Sequence, residues 1–323
     1  MLHRFTTSIS DIPLPERFTY PFCYTPHPLC VMAAEVQNYL SKQSDWQEEL
    51  SQGKMFGVLI VQTEDGSIGY LTAFSGILAG KNIHPYFVPP VYDLLQPQGF
   101  FKIEEENIST INRRICRLEE DKKYIDLLSD LTQTTQSAQD ALSIAKTQLK
   151  EAKEKRELLR KTGQLDAKEE ADLIRESQFQ KAEYKRLERS WKDKIASLQV
   201  EAGNWEKQIQ ELKAERKVRS AALQQQLFEQ FRMLNYRGEV ITLCDIFEQT
   251  VHKTPPAGAG ECAAPKLLQQ AYLHHWKPIA MAEFWWGNSP KNEVRHHGYY
   301  YPACKGKCEP ILRHMLQGLE VEA

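Results

Sequence analysis

Proline is absent from the middle of this sequence, since all 16 prolines lie at or before Pro97 or at or after Pro255. The sequence also lacks an apolar run of the roughly 18 residues that cross a bilayer, and no apolar signal segment follows Met1. Neither sign of charge dominates, because 41 Lys and Arg face 43 Asp and Glu. These absences exclude a membrane-spanning protein and a chain-wide basic nucleic-acid surface. They favour a cytoplasmic location, where the seven cysteines are thiols or metal ligands rather than disulfides.

The proline-free stretch predicts long helices, because one internal proline would cost roughly 3 kcal/mol. Apolar residues recur there at alternating steps of three and four, the spacing of a coiled-coil seam. The clearest run is Tyr184, Leu187, Trp191, Ile195, Leu198 and Ala202. Gly163 can end one helix and Asp166 can begin the next. The sequence therefore predicts an antiparallel coiled-coil arm over residues 103–235, with two helices of about 55 to 65 residues and a tip near 162–167.

An antiparallel hairpin returns its two ends to one place, so residues 1–102 and 236–323 can build a single head. Apolar segments at 55–61 and 68–74 flank the Asp65-Gly66 turn and predict a β-hairpin. Helices are predicted at 29–50, 262–275 and 307–316, and a buried strand at 278–284. The predicted fold class is α+β, a compact α/β head interrupted by a long antiparallel coiled-coil helical hairpin.

Three cysteines in the second head segment have the pattern of metal ligands. Cys304 and Cys308 are separated by three residues around Gly306, and Cys262 begins a predicted helix, whose dipole favours a thiolate. Three thiolates and one open position suit zinc. The predicted metal ligands are therefore Cys262, Cys304 and Cys308, and a structural zinc is the one cofactor that the sequence suggests. The alternative is that these thiols are buried in a small, aromatic-rich core.

The order of parts around these cysteines is similar to that of zinc-dependent deaminases. In that pattern a hairpin precedes a ligand at a helix start, and a strand then leads to a cysteine pair opening a second helix. Three features depart from the pattern. Ala264 stands where the general acid/base Glu belongs, the cysteine pair has three intervening residues instead of two, and Ala303 separates Pro302 from Cys304. Glu261 or Glu283 would then have to supply proton transfer.

The distal half of the arm is more basic than the rest, with 15 Lys and Arg against 11 Asp and Glu between Lys146 and Lys194. A basic coiled-coil tip can lie along a nucleic-acid backbone and gain affinity by counterion release. The predicted nucleic-acid-binding residues are Arg156, Arg160, Lys161, Lys185, Arg186 and Arg189. The alternative is that these charges only solvate a helical hairpin.

Several stretches carry a family resemblance. They are Pro-Pro-Ala-Gly-Ala-Gly-Glu-Cys-Ala-Ala-Pro-Lys-Leu-Leu-Gln at 255–269, Ala-Glu-Phe-Trp-Trp-Gly at 282–287, Tyr-Pro-Ala-Cys-Lys-Gly-Lys-Cys at 301–308, and the segments at 25–30 and 69–76. With the helical arm, they resemble the long N-terminal region of a bacterial subgroup of RluA-type RNA pseudouridine synthases. The resemblance covers essentially the whole chain.

The resemblance implies that a catalytic domain follows, which isomerises uridine to pseudouridine in ribosomal or transfer RNA through an Asp in a His-Arg-Leu-Asp stretch. This sequence has no such stretch and ends at Ala323, about where that domain should begin, so no catalytic residue is predicted. The implied function is an accessory module that binds and positions RNA. Its implied partners are structured RNA and the downstream synthase domain.

Two other functions fit the same sequence. The head could be a degenerate zinc deaminase-like enzyme built on the three cysteines. The arm could instead be a docking device that joins two copies of the chain in a homodimer.

Overall fold

The computed structural model describes residues 1–19, 25–33, 35–291 and 293–322. The chain divides into two compact units, one formed by Met1–Glu105 with Ala221–Ala323 and the other by Glu106–Ser220. Helices cover 54% of the structure and strands 12%, with one helix of 64 residues and a small antiparallel sheet. The predicted α+β class is therefore confirmed.

The elements follow one another in this order. They are α1 (Pro28–Met32), α2 (Glu35–Ser41), a 3-10 turn (Ser44–Trp46), α3 (Gln47–Ser51), β1 (Lys54–Gln62), β2 (Ile68–Phe74), α4 (Phe100–Glu119), α5 (Lys122–Thr162), α6 (Ala167–Gln230), β3 (Arg232–Leu234), β4 (Val240–Thr242), α7 (Leu243–Glu248), α8 (Ala263–Leu273), β5 (Lys277–Trp286), β6 (Tyr300–Tyr301) and α9 (Cys308–Met315).

The first unit is built on a four-stranded antiparallel sheet in the order β2-β1-β5-β6. Its two longest strands come from opposite flanks of the chain, with Leu59 on β1 facing Met281 on β5. Side chains alternate across β1, and both faces are buried. Leu59 and Val61 pack in a core with α8 and α9. The alternate residues Phe56, Val58 and Ile60 pack in a second core with α1, α2 and α3. The sheet is thus the middle of three layers.

The predicted helix at 29–50 is wrong in its continuity, because the structure has three short helices and a 3-10 turn there, with Ala34 outside the described residues. Polar residues break the segment after α2. The Gln47 side-chain amide donates to the carbonyl oxygens of Gln43 at 3.0 Å and Leu40 at 3.4 Å. These bonds satisfy carbonyl groups that a continuing helix would have paired.

The second unit consists of parts of α4, α5 and α6. Its hydrogen bonds and ring contacts include the pairs Asn112–Arg216, Tyr124–Trp205, Arg156–Gln180 and Arg160–Glu170. From one pair to the next the residue number rises on α4 and α5 and falls on α6, as it does between antiparallel helices. The turn between α5 and α6 covers residues 163–166, where a tip was predicted.

The first half of the arm is interrupted, which the sequence-based prediction of a single first helix missed. α4 ends at Glu119 and α5 begins at Lys122. Asp121 caps α5, since its Oδ1 accepts a hydrogen bond from the Lys123 amide at 2.8 Å. The first amides of a new helix have no carbonyl partner in a preceding turn, and the Asp121 carboxylate takes the place of that partner.

Within the described residues, none of the helices combines the length and the apolar character that a crossing of the lipid bilayer requires.

Candidate functional site

The first unit brings three cysteine side chains to one point. Cys262 is the residue that immediately precedes α8, Cys308 is the first residue of α9, and Cys304 lies in the loop before α9. The three Sγ atoms lie within 4.8 Å of one another, and Cys304 Sγ is 3.4 Å from Cys308 Sγ. Because α8 and α9 pack in the same core, their first residues converge although 42 positions separate Cys262 from Cys304 in the sequence.

Close packing under α8 fixes the position of Cys262. Gly57 on β1 faces the first turn of this helix, and a Cβ atom added there would lie 3.1 Å from Ala263 Cβ and 3.0 Å from Leu267 Cδ1. A larger residue would therefore push the helix start away from the sheet. Gly57 pairs with Glu283 on β5, so the same absence of a side chain also leaves room beside the Glu283 carboxyl.

The three thiols share their protons unequally. Hydrogen bonds from Cys262 and Cys308, together with backbone amides, lower the pKa of Cys304 well below the usual thiol value. The same contact with Cys304 raises the pKa of Cys262. Cys304 is thus the thiol that ionises first, and a thiolate is the form that binds metals.

A buried carboxyl lies close to this cluster. Glu283 is 5% exposed, and its Oε1 accepts a hydrogen bond from the Ala264 amide at 3.2 Å. Burial, and then the charge of Cys304, raise the pKa of Glu283 to about 7. Glu283 therefore lies against the backbone of Ala264, the residue that replaces the acid/base Glu of the deaminase pattern.

A buried ammonium group is the member of this neighbourhood that sequence reasoning missed. Lys266 is 2% exposed and donates to the carbonyl oxygens of Phe74 at 2.9 Å and Gly76 at 3.2 Å. Desolvation lowers the pKa of Lys266 to about 8, whereas the nearby charge of Glu261 opposes this shift. Its position on the buried face of α8, four residues after Cys262, was the available signal.

The structure places the six predicted nucleic-acid-binding residues in different environments. Arg156 is only 6% exposed, and its Nη1 donates to Gln180 Oε1 at 2.7 Å and lies 3.8 Å from Glu176 Oε1. This guanidinium faces the partner helix, so in this position it is not available to a phosphate.

The other five residues are exposed, but two of them have acidic partners. Arg160 is held by Glu170 at 2.8 Å, and Arg186 by Glu183. Lys161, Lys185 and Arg189 have no ion-pair partner among the residues that the structure describes.

Two further residues of α6 belong with this group. Lys181 is exposed and also unpaired within the described chain, and it lies one helical turn before Lys185, with Arg189 one turn after. The three cations, here called the α6 stripe, therefore follow one face of the helix at steps of about 6 Å. Phe179 lies just before them and is 64% exposed. An apolar residue outside the seam spacing was the sequence signal for Phe179.

Phe179 borders a groove of about 380 Å³ between α5 and α6. The groove is lined by Ala145, Gln148, Leu149, Phe179, Gln180, Glu183, Tyr184 and Leu187. Phe179 and Lys181 are two residues apart and so lie on different sides of the helix. The groove and the α6 stripe are therefore on different faces of α6.

No family model, curated protein or solved structure matches this chain.

Proposed function

We propose that this chain is the RNA-binding and RNA-positioning module of an RNA pseudouridine synthase, and that a separate domain carries out the isomerisation. The observation that carries the proposal is the α6 stripe, in which Lys181, Lys185 and Arg189 face solvent without ion-pair partners in the described chain. Other arm cations have an acidic partner, as Arg160 has Glu170 at 2.8 Å. The link to pseudouridine formation rests on the family resemblance of the sequence.

The stripe suits a phosphate backbone rather than a particular base sequence. Lysine and arginine on one helix face can contact successive phosphates, and such contacts set register and orientation without reading bases. Binding of this kind releases counterions and therefore weakens as salt rises. The partner that fits is a structured RNA, ribosomal or transfer RNA, which a downstream catalytic domain would then modify.

The test is the affinity of the full chain for an unmodified tRNA transcript, measured by fluorescence anisotropy between 50 and 300 mM salt. We compare the wild type with a variant carrying Lys181→Gln, Lys185→Gln and Arg189→Gln. The variant should lose roughly tenfold in affinity at low salt, and the slope of log K against log salt should fall by about 2 to 3.

A matched variant separates the stripe from net charge. Lys123, Lys207 and Lys217 are exposed cations elsewhere in the arm, and their replacement by Gln removes the same three charges. This control should keep most of the wild-type affinity. Equal losses in both variants, or no tRNA binding by the wild type at 50 mM salt, would contradict the proposal.

One observation favours a second candidate function, a zinc-dependent deaminase-like hydrolysis. Glu283 Oε1 lies 3.2 Å from the Ala264 amide, close to where the deaminase pattern places its acid/base carboxylate. The test is turnover of cytidine and adenosine by the zinc-loaded chain, with Glu283→Gln as the paired variant. Ammonia release by the wild type that the variant lacks would support it, and no release by either would dismiss it.

A further inference from the structure

The three converging thiols have the geometry of a metal site. Cys262, Cys304 and Cys308 each offer one Sγ atom, and all three atoms lie within 4.8 Å of one another. Three sulfurs on a tetrahedral zinc, with bonds of about 2.3 Å, are about 3.8 Å apart. The 3.4 Å separation of Cys304 and Cys308 is close to that value, so small side-chain rotations suffice to surround an ion.

We propose that Cys262, Cys304 and Cys308 bind one Zn²⁺ ion, with the fourth position filled by a small non-protein ligand such as water. Each cysteine binds as a thiolate, so a sulfur that still carries a proton releases it to solvent as its Zn–S bond forms. The inference does not depend on RNA binding, because it rests on residues of the first unit alone.

The two helix starts and one buried cation suit the negative charge that three bound sulfurs would carry. Cys262 and Cys308 stand at the starts of α8 and α9, where the helix dipoles stabilise negative charge. The buried ammonium of Lys266 attracts a charge on Cys262. Thiolate sets select zinc over magnesium or calcium, which prefer oxygen ligands.

The open fourth position follows from the residues present. Within the described chain, the group of His, Cys, Asp and Glu side chains at this point contains the three cysteines and no fourth member. Structural zinc sites usually have four protein ligands, whereas sites with three keep a position for water or substrate. This site therefore belongs to the second type in its ligand count.

The first experiment measures zinc in the chain of residues 1–323, purified under reducing conditions, by inductively coupled plasma mass spectrometry. About one zinc per chain is expected. Cys304→Ser should lose at least nine-tenths of it, whereas Cys244→Ser, which changes a half-buried thiol elsewhere in the same unit, should retain it. Absence of zinc from the wild type, even after incubation with zinc, would overturn the proposal.

Because Cys304→Ser could fail to fold, a second measurement uses only the wild type. Cobalt(II) added to the metal-free chain should give sulfur-to-cobalt charge-transfer absorption and the visible bands of a tetrahedral ion. X-ray absorption of the zinc form should show three sulfur neighbours and one oxygen or nitrogen. Four sulfurs would overturn the open position, and fewer than three sulfurs would overturn the three-cysteine site.

Discussion

At the scale of single residues, the packing around the Glu283 carboxyl group determines its protonation state. The strand that holds it is buried on both faces, and the Gly57 position opposite has no side chain. The carboxyl thus has one backbone donor, the Ala264 amide, and little water. Burial of this kind favours the neutral form of an acid.

The stability of the chain should therefore depend on the ionisation of Glu283. Its pKa is raised from 4.5 to about 7, so its contribution to stability is complete below pH 4.5 and is lost as pH rises through 7. The loss should be on the order of 3 kcal/mol, since one pKa unit corresponds to about 1.4 kcal/mol. Glu283→Gln should remove this slope, because a neutral amide does not titrate.

Urea unfolding of wild type and Glu283→Gln between pH 5 and pH 8, both with chelator, measures the difference. Other titrating groups contribute equally to both proteins and cancel in the comparison. Parallel stability curves for the two proteins would show that the Glu283 carboxyl is not held neutral.

The convergence of three cysteines could be predicted from the sequence, whereas their surroundings could not. Spacing and residue type are enough to single out Cys262, Cys304 and Cys308. The contact of Glu283 with Ala264 depends on the β1–β5 register and on Gly57, and no local pattern encodes a pairing between strands more than 200 positions apart. For the same reason the burial of Arg156 against Gln180 is not visible in a count of charges.

At the scale of elements, composition predicts the arm well because each helix is long and its seam is repeated many times. The β-hairpin is also predicted within two residues, since alternating apolar segments flank one strong turn. Short elements are less predictable. The segment containing α1, α2 and α3 has helical composition, but side-chain hydrogen bonds such as those of Gln47 decide where its helices end.

Arg156 makes a prediction about the stability of the arm. It is a buried cation with one hydrogen bond to Gln180 and a looser ion pair with Glu176. The desolvation penalty of a buried cation offsets most of the free energy that its pairing contributes. An apolar residue of similar length is therefore often tolerated at such a position. Arg156→Met should change the free energy of unfolding by less than about 1 kcal/mol, whereas Arg156→Ala should destabilise by about 2 kcal/mol through the lost packing.

Circular dichroism at 222 nm during thermal unfolding measures both variants. Because Arg156 faces the partner helix, we also expect Arg156→Met to keep the affinity for tRNA. A loss of affinity as large as that of the α6-stripe variant, with the arm still folded, would show that Arg156 reaches RNA after all.

At the scale of the whole molecule, the first unit is assembled from two distant parts of the chain. Nine residue pairs join β1 to β5, and both core clusters contain residues from each flank. The pairing of β1 with β5 brings together residues that are far apart in the sequence. A sequence pattern can suggest this pairing only because a helical hairpin between the two flanks would bring its own ends together.

The first unit should therefore fold without the arm. We expect a chain in which residues 106–220 are replaced by about eight Gly and Ser residues, enough to span neighbouring antiparallel helices about 10 Å apart, to keep the sheet and the thiol cluster. Dispersed amide resonances and about one bound zinc per chain would be the expected results. An unfolded spectrum would show that the unit requires the helices of the arm.

RNA binding by one face of α6 can be tested by ultraviolet crosslinking of the chain to tRNA followed by peptide mass spectrometry. We expect crosslinked peptides from residues 179–192 in the wild type and their loss in the α6-stripe variant. Crosslinks confined to residues 1–105 and 221–322, or unchanged in the variant, would contradict it.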